Sequence, residues 1–277
     1  MRRSLSAAIY VLSTAIGVLA FVYPFVLDAR ATGSLGVAHS QDAPLVTAAL
    51  VGLSLVALLV ELQGQAISAK TVAMLGVLVA ITSVLRFVEV AVPMPGGFSP
   101  VFVPIILAGY VFGSRFGFLM GAFTLLVSGL ITGGVGPWLP YQMFASGWVG
   151  MSAGWLGQIS NLQSHGQRPA SGTGDWRLEI VVLSVFGFAW GLLYGAIINV
   201  YFWPFAAGPV EQTWTPGIGL GETLVRYAAF YVATSLGWDL VRAIGNVALI
   251  LLLGMPMVHT LARFQRRFHF EVHLAHG

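Results

Sequence analysis

Between Ala7 and Leu27 the chain holds no charged residue, and apolar runs of similar kind recur at about 43–60, 71–92, 101–112, 116–131, 140–158, 180–202 and 223–253. A helix rising 1.5 Å per residue needs about 20 such residues to cross a hydrocarbon core of about 30 Å. Lipid offers the backbone no hydrogen-bond partner, so the spans must be helical. The chain is therefore predicted to be an all-α integral membrane protein with about eight transmembrane helices. Charged residues are 8% of the sequence and apolar ones 57%, against about 25% and 45–50% in soluble domains. The net charge of +3 does not argue for nucleic acid. Its bases lie in short loops and at the ends rather than on one face. With no cysteine, disulfides, thiolate zinc sites and a cysteine nucleophile are excluded.

Arg2 and Arg3 precede the first run, and Ala29-Arg30-Ala31 follows it. That tripeptide would suit a signal peptidase, but the run is longer than an h-region of about 7–15 residues, so the first helix is expected to be retained. The third span is apolar except for Arg86 and Glu89, three apart and so on one helical face. Intramembrane charges are expected to face the protein interior, as a structural ion pair or as ligand contacts. The turn from Pro93 to Phe98, PMPGGF, reads as a flexible lip. A second lip runs from Gly133 to Ala145, GGVGPWLPYQMFA, where glycine and proline interrupt regular helix and bring Trp138, Tyr141 and Gln142 to the break. Gly117, Gly121, Ser128 and Gly129 are small positions suited to close helix packing. Asn199 lies near the end of the seventh span. The last apolar stretch exceeds one perpendicular crossing and is expected to tilt, bend near Gly237 or extend beyond the membrane. Tyr227, Tyr231, Ser235, Asp239, Arg242 and Asn246 recur on it at helical spacing as one polar stripe.

With eight spans, Arg2, Arg3, Lys70, Arg115, Arg168, Arg177, Arg263, Arg266 and Arg267 fall on one side, and Arg30 alone occupies the opposite loops. The positive-inside rule then places both termini in the cytoplasm of a multi-pass cell-membrane protein. Both lips and the loop from Trp203 to Glu222 fall outside, which implies a cavity open to the exterior. Nothing in the chain favours an enzyme. All six histidines, among them His269 and His273 in the tail, lie outside the spans, and no metal site or cofactor is expected. The single lysine, Lys70, follows Ala69, so there is no phosphate-binding G-x-x-x-x-G-K-[ST] loop. Without a repeated pattern of broken helices, a self-sufficient secondary transporter is weakly supported. The remaining reading is a capture subunit that needs an energising partner. An ion-coupled carrier using Glu89 or Asp239, or a non-transporting membrane protein such as a scaffold or an intramembrane enzyme of unknown chemistry, stays open.

Across spans four and five runs AGYVFGSRFGFLMGAFTLLVSGLITGG, and the sixth is entered by GPWLPYQMFASGWVGMSAGWLG. In these blocks, and in six compact spans from about Lys70 onward, the chain resembles the substrate-binding S components of energy-coupling factor (ECF) transporters. The resemblance implies a six-helix capture core over 70–258, preceded by two extra helices over 1–69 that the six-helix pattern does not explain and followed by a basic cytoplasmic tail over 259–277. It also implies a vitamin-like small-molecule substrate, a transmembrane coupling subunit and two cytoplasmic ATPases. Such proteins carry an A-x-x-x-A packing motif toward the coupling subunit, and here Gly76 and Ala80 are the nearest match. The GGVGPWLPYQM block is most similar to cobalamin-type S components. From their depth and helical face, Arg86, Glu89, Trp138, Tyr141, Gln142, Asn199, Tyr231, Asp239 and Arg242 are the candidate substrate contacts, with Trp203 and Trp214 as gate or interfacial belt.

Overall fold

The computed structural model of the chain describes residues 2–26, 52, 69–92, 95–159 and 176–268. Among these residues there are only helices and short turns: α1 (Arg2–Val26), α2 (Ala69–Ala91), α3 (Phe102–Phe112), α4 (Ser114–Thr132), α5 (Leu139–Ile159), α6 (Trp176–Phe202), α7 (Leu220–Thr234), α8 (Leu236–Leu249) and α9 (Met255–Phe268). Four stretches are long and apolar enough to cross a membrane: Lys70–Ala91, Ser114–Thr132, Trp176–Phe205 and Leu236–Gln265. Tyr10–Val22 and Phe102–Phe112 are shorter apolar helices. The count of eight full spans is thus not reproduced. The span expected over 43–60, most of the loop 159–179 and the tail beyond Phe268 lie outside the described residues.

The expected fourth span, α3, has 11 residues, about 16 Å at 1.5 Å per residue, and is too short to cross alone. It ends at Gly113, whose φ of 101° suits glycine and turns the chain directly into α4. The centre of the bundle is α5. It packs against α3, α4, α6 and α1, so most of its surface never meets lipid, and serines and glycines are tolerated along it. The small residues set the spacing. A Cβ at Gly117 would overlap the carbonyl of Gly150, and one at Gly121 that of Ser146, so α4 and α5 touch backbone to backbone.

The stretch expected as one bent span over 223–253 is broken into three pieces. Helix α7 ends at Ser235 (φ −133°, ψ −28°), two residues before Gly237, and α8 follows at once. A π turn at Ile250–Gly254 then leads into α9. Gln265 of α9 donates to the carbonyl of Val111 at 2.9 Å, which pins the segment to the end of α3. The described part of the expected tail is therefore helical as far as Phe268.

Neither expected lip is a loose strap. Around Pro95–Gly97 the backbone has positive φ at Gly96 and Gly97, and the turn lies against α8. A Cβ at Gly96 would stand 2.8 Å from Val241 Cγ2, and Phe98 fills the space beside Gly245. Gly133 (φ 67°) ends α4, and the link to α5 is a short turn in which Trp138 Nε1 donates to Gly134 O at 3.2 Å.

Helix α1 lies along α5. Tyr10 meets Phe118 edge-on with ring centroids 5.6 Å apart, and Phe21 meets Tyr141 at 4.9 Å. Phe25 reaches Trp203 and Trp214 of the loop after α6 (centroids 5.8 and 5.3 Å).

Candidate functional site

Helix α6 carries Gly187, Gly191, Gly195 and Asn199, each four residues after the last, as one stripe. Opposite it, α8 and the residue before it carry Ser235, Asp239, Arg242 and Asn246. The two stripes meet in antiparallel register. Asn246 Nδ2 donates to Gly187 O at 2.9 Å, Arg242 Nη1 to Gly191 O at 3.4 Å, and Asn199 Nδ2 to Ser235 Oγ at 2.6 Å. Asp239 lies on Gly195, where any Cβ would collide with the carboxylate. The missing side chains on α6 thus open room for polar ones on α8, and main-chain carbonyls satisfy the donors that burial would otherwise orphan.

Asp239 and Arg242 form an ion pair with side chains 3% and 17% exposed. The guanidinium also lies 5.7 Å from the Phe102 ring and 5.5 Å from that of Tyr194, and those two rings meet edge-on at 4.6 Å. Cation–π contact on two sides and a carboxylate on a third fix this arginine in place.

Above the pair is a cavity of about 250 Å³. Its far wall is α2, which presents Arg86 and Glu89 from adjacent turns. Glu89 Oε2 accepts from Ser99 Oγ at 2.8 Å, and no ion pair joins it to Arg86 among the described residues. The expected structural pair is therefore a carboxylate held by a serine from the turn before α3, with the arginine beside it. Helix α5 supplies Gln142 and Ser146, and α6 supplies Tyr194, Ile198 and Asn199. Trp238 and Phe102 close the apolar sides.

Six of the nine candidate contacts come together here: Arg86, Glu89, Gln142, Asn199, Asp239 and Arg242. The other three do not line the cavity. Trp138 lies in the turn before α5 and is 41% exposed. Tyr141 is buried at 1% exposure between Phe21 and Tyr201, since a residue adjacent on a helix points about 100° away from Gln142. Tyr231 donates to Leu192 O at 3.3 Å. Trp203 and Trp214 are buried with Phe25, and Trp203 Nε1 donates to Gln212 O at 2.9 Å, so they brace the loop between α6 and α7. Gly76 and Ala80 lie on an exposed face of α2 with Val77, Ile81 and Val84. No group of three or more metal-binding side chains occurs among the described residues.

The reading of the sequence missed Tyr194, Trp238, Ser99 and Ser146. The four-residue repeat of Gly187, Gly191, Gly195 and Asn199 was the available signal for the first, because it fixes which face of α6 meets α8 and so where Tyr194 must lie. Nothing in the sequence marked Ser99.

No curated protein and no solved structure matches the chain. The family model described as "ECF transporter, substrate-specific component" matches residues 70–254, which takes in α2 through the π turn and every residue of the cavity. The chain belongs to the substrate-specific component family of ECF transporters.

Proposed function

We propose that the protein is the high-affinity capture subunit of an ATP-driven ECF-type uptake transporter. It binds a vitamin-like micronutrient in the cavity between α2, α5, α6 and α8 and depends on partners for energy. The observation that carries this is a polar, charge-lined cavity within the family-matched segment. Four ionisable side chains in apolar surroundings are expensive, and their convergence on a space open to a ligand is the arrangement a capture site requires. The partners are a transmembrane coupling subunit and two cytoplasmic ATPases, and the α2 face around Gly76 and Ala80, which no other described residue covers, is the docking surface. Both termini lie in the cytoplasm and the cavity opens outward, as the bias of the basic residues supports.

About 250 Å³ is at the small end of ligand pockets, which run from roughly 300 to 1,000 Å³. That favours a compact vitamin. A corrinoid such as cobalamin would need the wall of α2 or the Pro95–Gly97 turn to move aside.

The test is equilibrium binding of a panel of vitamins, cobalamin included, to the purified full-length chain in detergent with no ATPase present. Tight binding of one compact member, weakened at least about tenfold by Gln142→Ala, supports the reading. Absence of binding by every member to a demonstrably folded chain removes it in favour of an ion-coupled carrier or a scaffold.

A further inference from the structure

The charges around the cavity form two unequal pairs. Asp239 and Arg242 neutralise each other, and Arg242 is further occupied by Gly191 O and two aromatic rings. Arg86 is different. Among the described residues its guanidinium makes no hydrogen bond or ion pair, although it lines the cavity. The Gln142 side chain likewise has no hydrogen-bond partner there. Ser146 and Asp239 of the same lining are buried beside the hydroxyls of Tyr194 and Tyr231. Polar groups shielded from water without partners cost stability. The unpartnered side chains of Arg86 and Gln142 on one cavity mark hydrogen-bonding groups held ready for a ligand.

The signs restrict that ligand. Arg86 and Arg242 are balanced by Glu89 and Asp239, so the lining carries no net charge, and a ligand of net charge would be buried without a counter-ion. A ligand with only neutral acceptors would meet the Arg86 donors with weaker hydrogen bonds than a carboxylate makes. Resting on the capture reading above, we infer that the substrate is a compact zwitterion. Its anionic group, of carboxylate type, docks on Arg86 and Gln142. Its cationic group faces Glu89 and Asp239, and its apolar body lies against Trp238 and Phe102.

The absence of cysteine from the sequence makes the test direct. Gln142→Cys introduces a single thiol into the cavity of the full-length detergent-purified chain. Its reaction rates are measured with an anionic (sulfonatoethyl), a cationic (trimethylammonioethyl) and a neutral (methyl) methanethiosulfonate. Dividing each charged rate by the neutral one cancels changes in access or folding. In this background Arg86→Gln is expected to lower the anionic ratio about fivefold or more, with Arg86→Lys retaining it. Glu89→Gln is expected to lower the cationic ratio similarly, as unscreened charges within one cavity require. A ratio that stays within about twofold in either variant overturns the inference. These rates need no transport partner. A null result in vitamin binding with the expected rate ratios would therefore strike the capture reading and not the charge pattern, and the reverse result would strike the charge pattern alone.

Discussion

Gly195 is the residue on which the site turns, because Asp239 occupies the volume its side chain would fill. Gly195→Ala must displace either the carboxylate or α6, and strain of this kind typically costs more than about 2 kcal/mol. The expected outcome is a thermal midpoint lowered by roughly 5 °C or more in detergent, together with loss of ligand affinity. Gly76→Ala is the control, since no atom lies within 4 Å of a Cβ there. Its midpoint should match that of the parent chain, or rise slightly because alanine favours helix. The ion pair is testable in the same assay. Asp239→Ala leaves the Arg242 guanidinium mostly buried without its carboxylate and should cost about 3–5 kcal/mol, whereas removing both members through Asp239→Asn with Arg242→Met should cost clearly less than the sum of the single changes.

At the level of elements, the α4–α5 contact is the part most sensitive to side-chain size. Gly150 and Gly117 approach so closely that a Cβ on either overlaps the other's main chain. Gly150→Val is therefore expected to abolish the monodisperse peak in size-exclusion chromatography. Gly237→Val, where no atom lies within 4 Å of a Cβ, should preserve it. This contact was legible in the sequence, because Gly117 and Gly121 recur one turn apart in an apolar run. So were the polar stripe on α8 and the isolation of Arg86 and Glu89, since intramembrane charge leaves few alternatives. Helical phase across a break was not legible. The glycines and prolines of GGVGPWLP correctly mark an interruption, and the start of α5 at Leu139 falls within one residue of the expected 140. Yet the sequence does not reveal how the helix is rotated about its axis, and that rotation decides that Gln142 faces the cavity while Tyr141 faces α1 and α6. Tyr231, on the far side of the break at Ser235, does not line the cavity, yet its hydroxyl interacts with the Asp239 carboxylate.

For the molecule as a whole, α1 lies outside the segment matched by the family but is built into the same core through Tyr10, Phe21 and Phe25. Phe25 ties it to Trp203 and Trp214, and Trp203 meets Tyr227 at 5.0 Å, so one aromatic cluster joins α1, the loop after α6, and α7. Phe25→Ala should loosen that loop. Cleavage by a glutamyl endopeptidase at the exposed Glu211 is expected to speed up several-fold relative to cleavage at Glu179, while the midpoint falls by only about 1–3 °C.

The placement of α1 also gives the protein a front and a back within the plane of the bilayer. On one flank α1 shields α5 with its own row of lipid-facing valines and leucines. On another, α2 turns Gly76, Ala80 and Val84 outward, with no described residue covering them. A second membrane protein that seeks a shallow, small-residue groove meets a difference in relief before it meets any difference in charge. Among the described residues, then, the two flanks differ in relief, and the docking surface proposed at Gly76 and Ala80 would be approached from the α2 side.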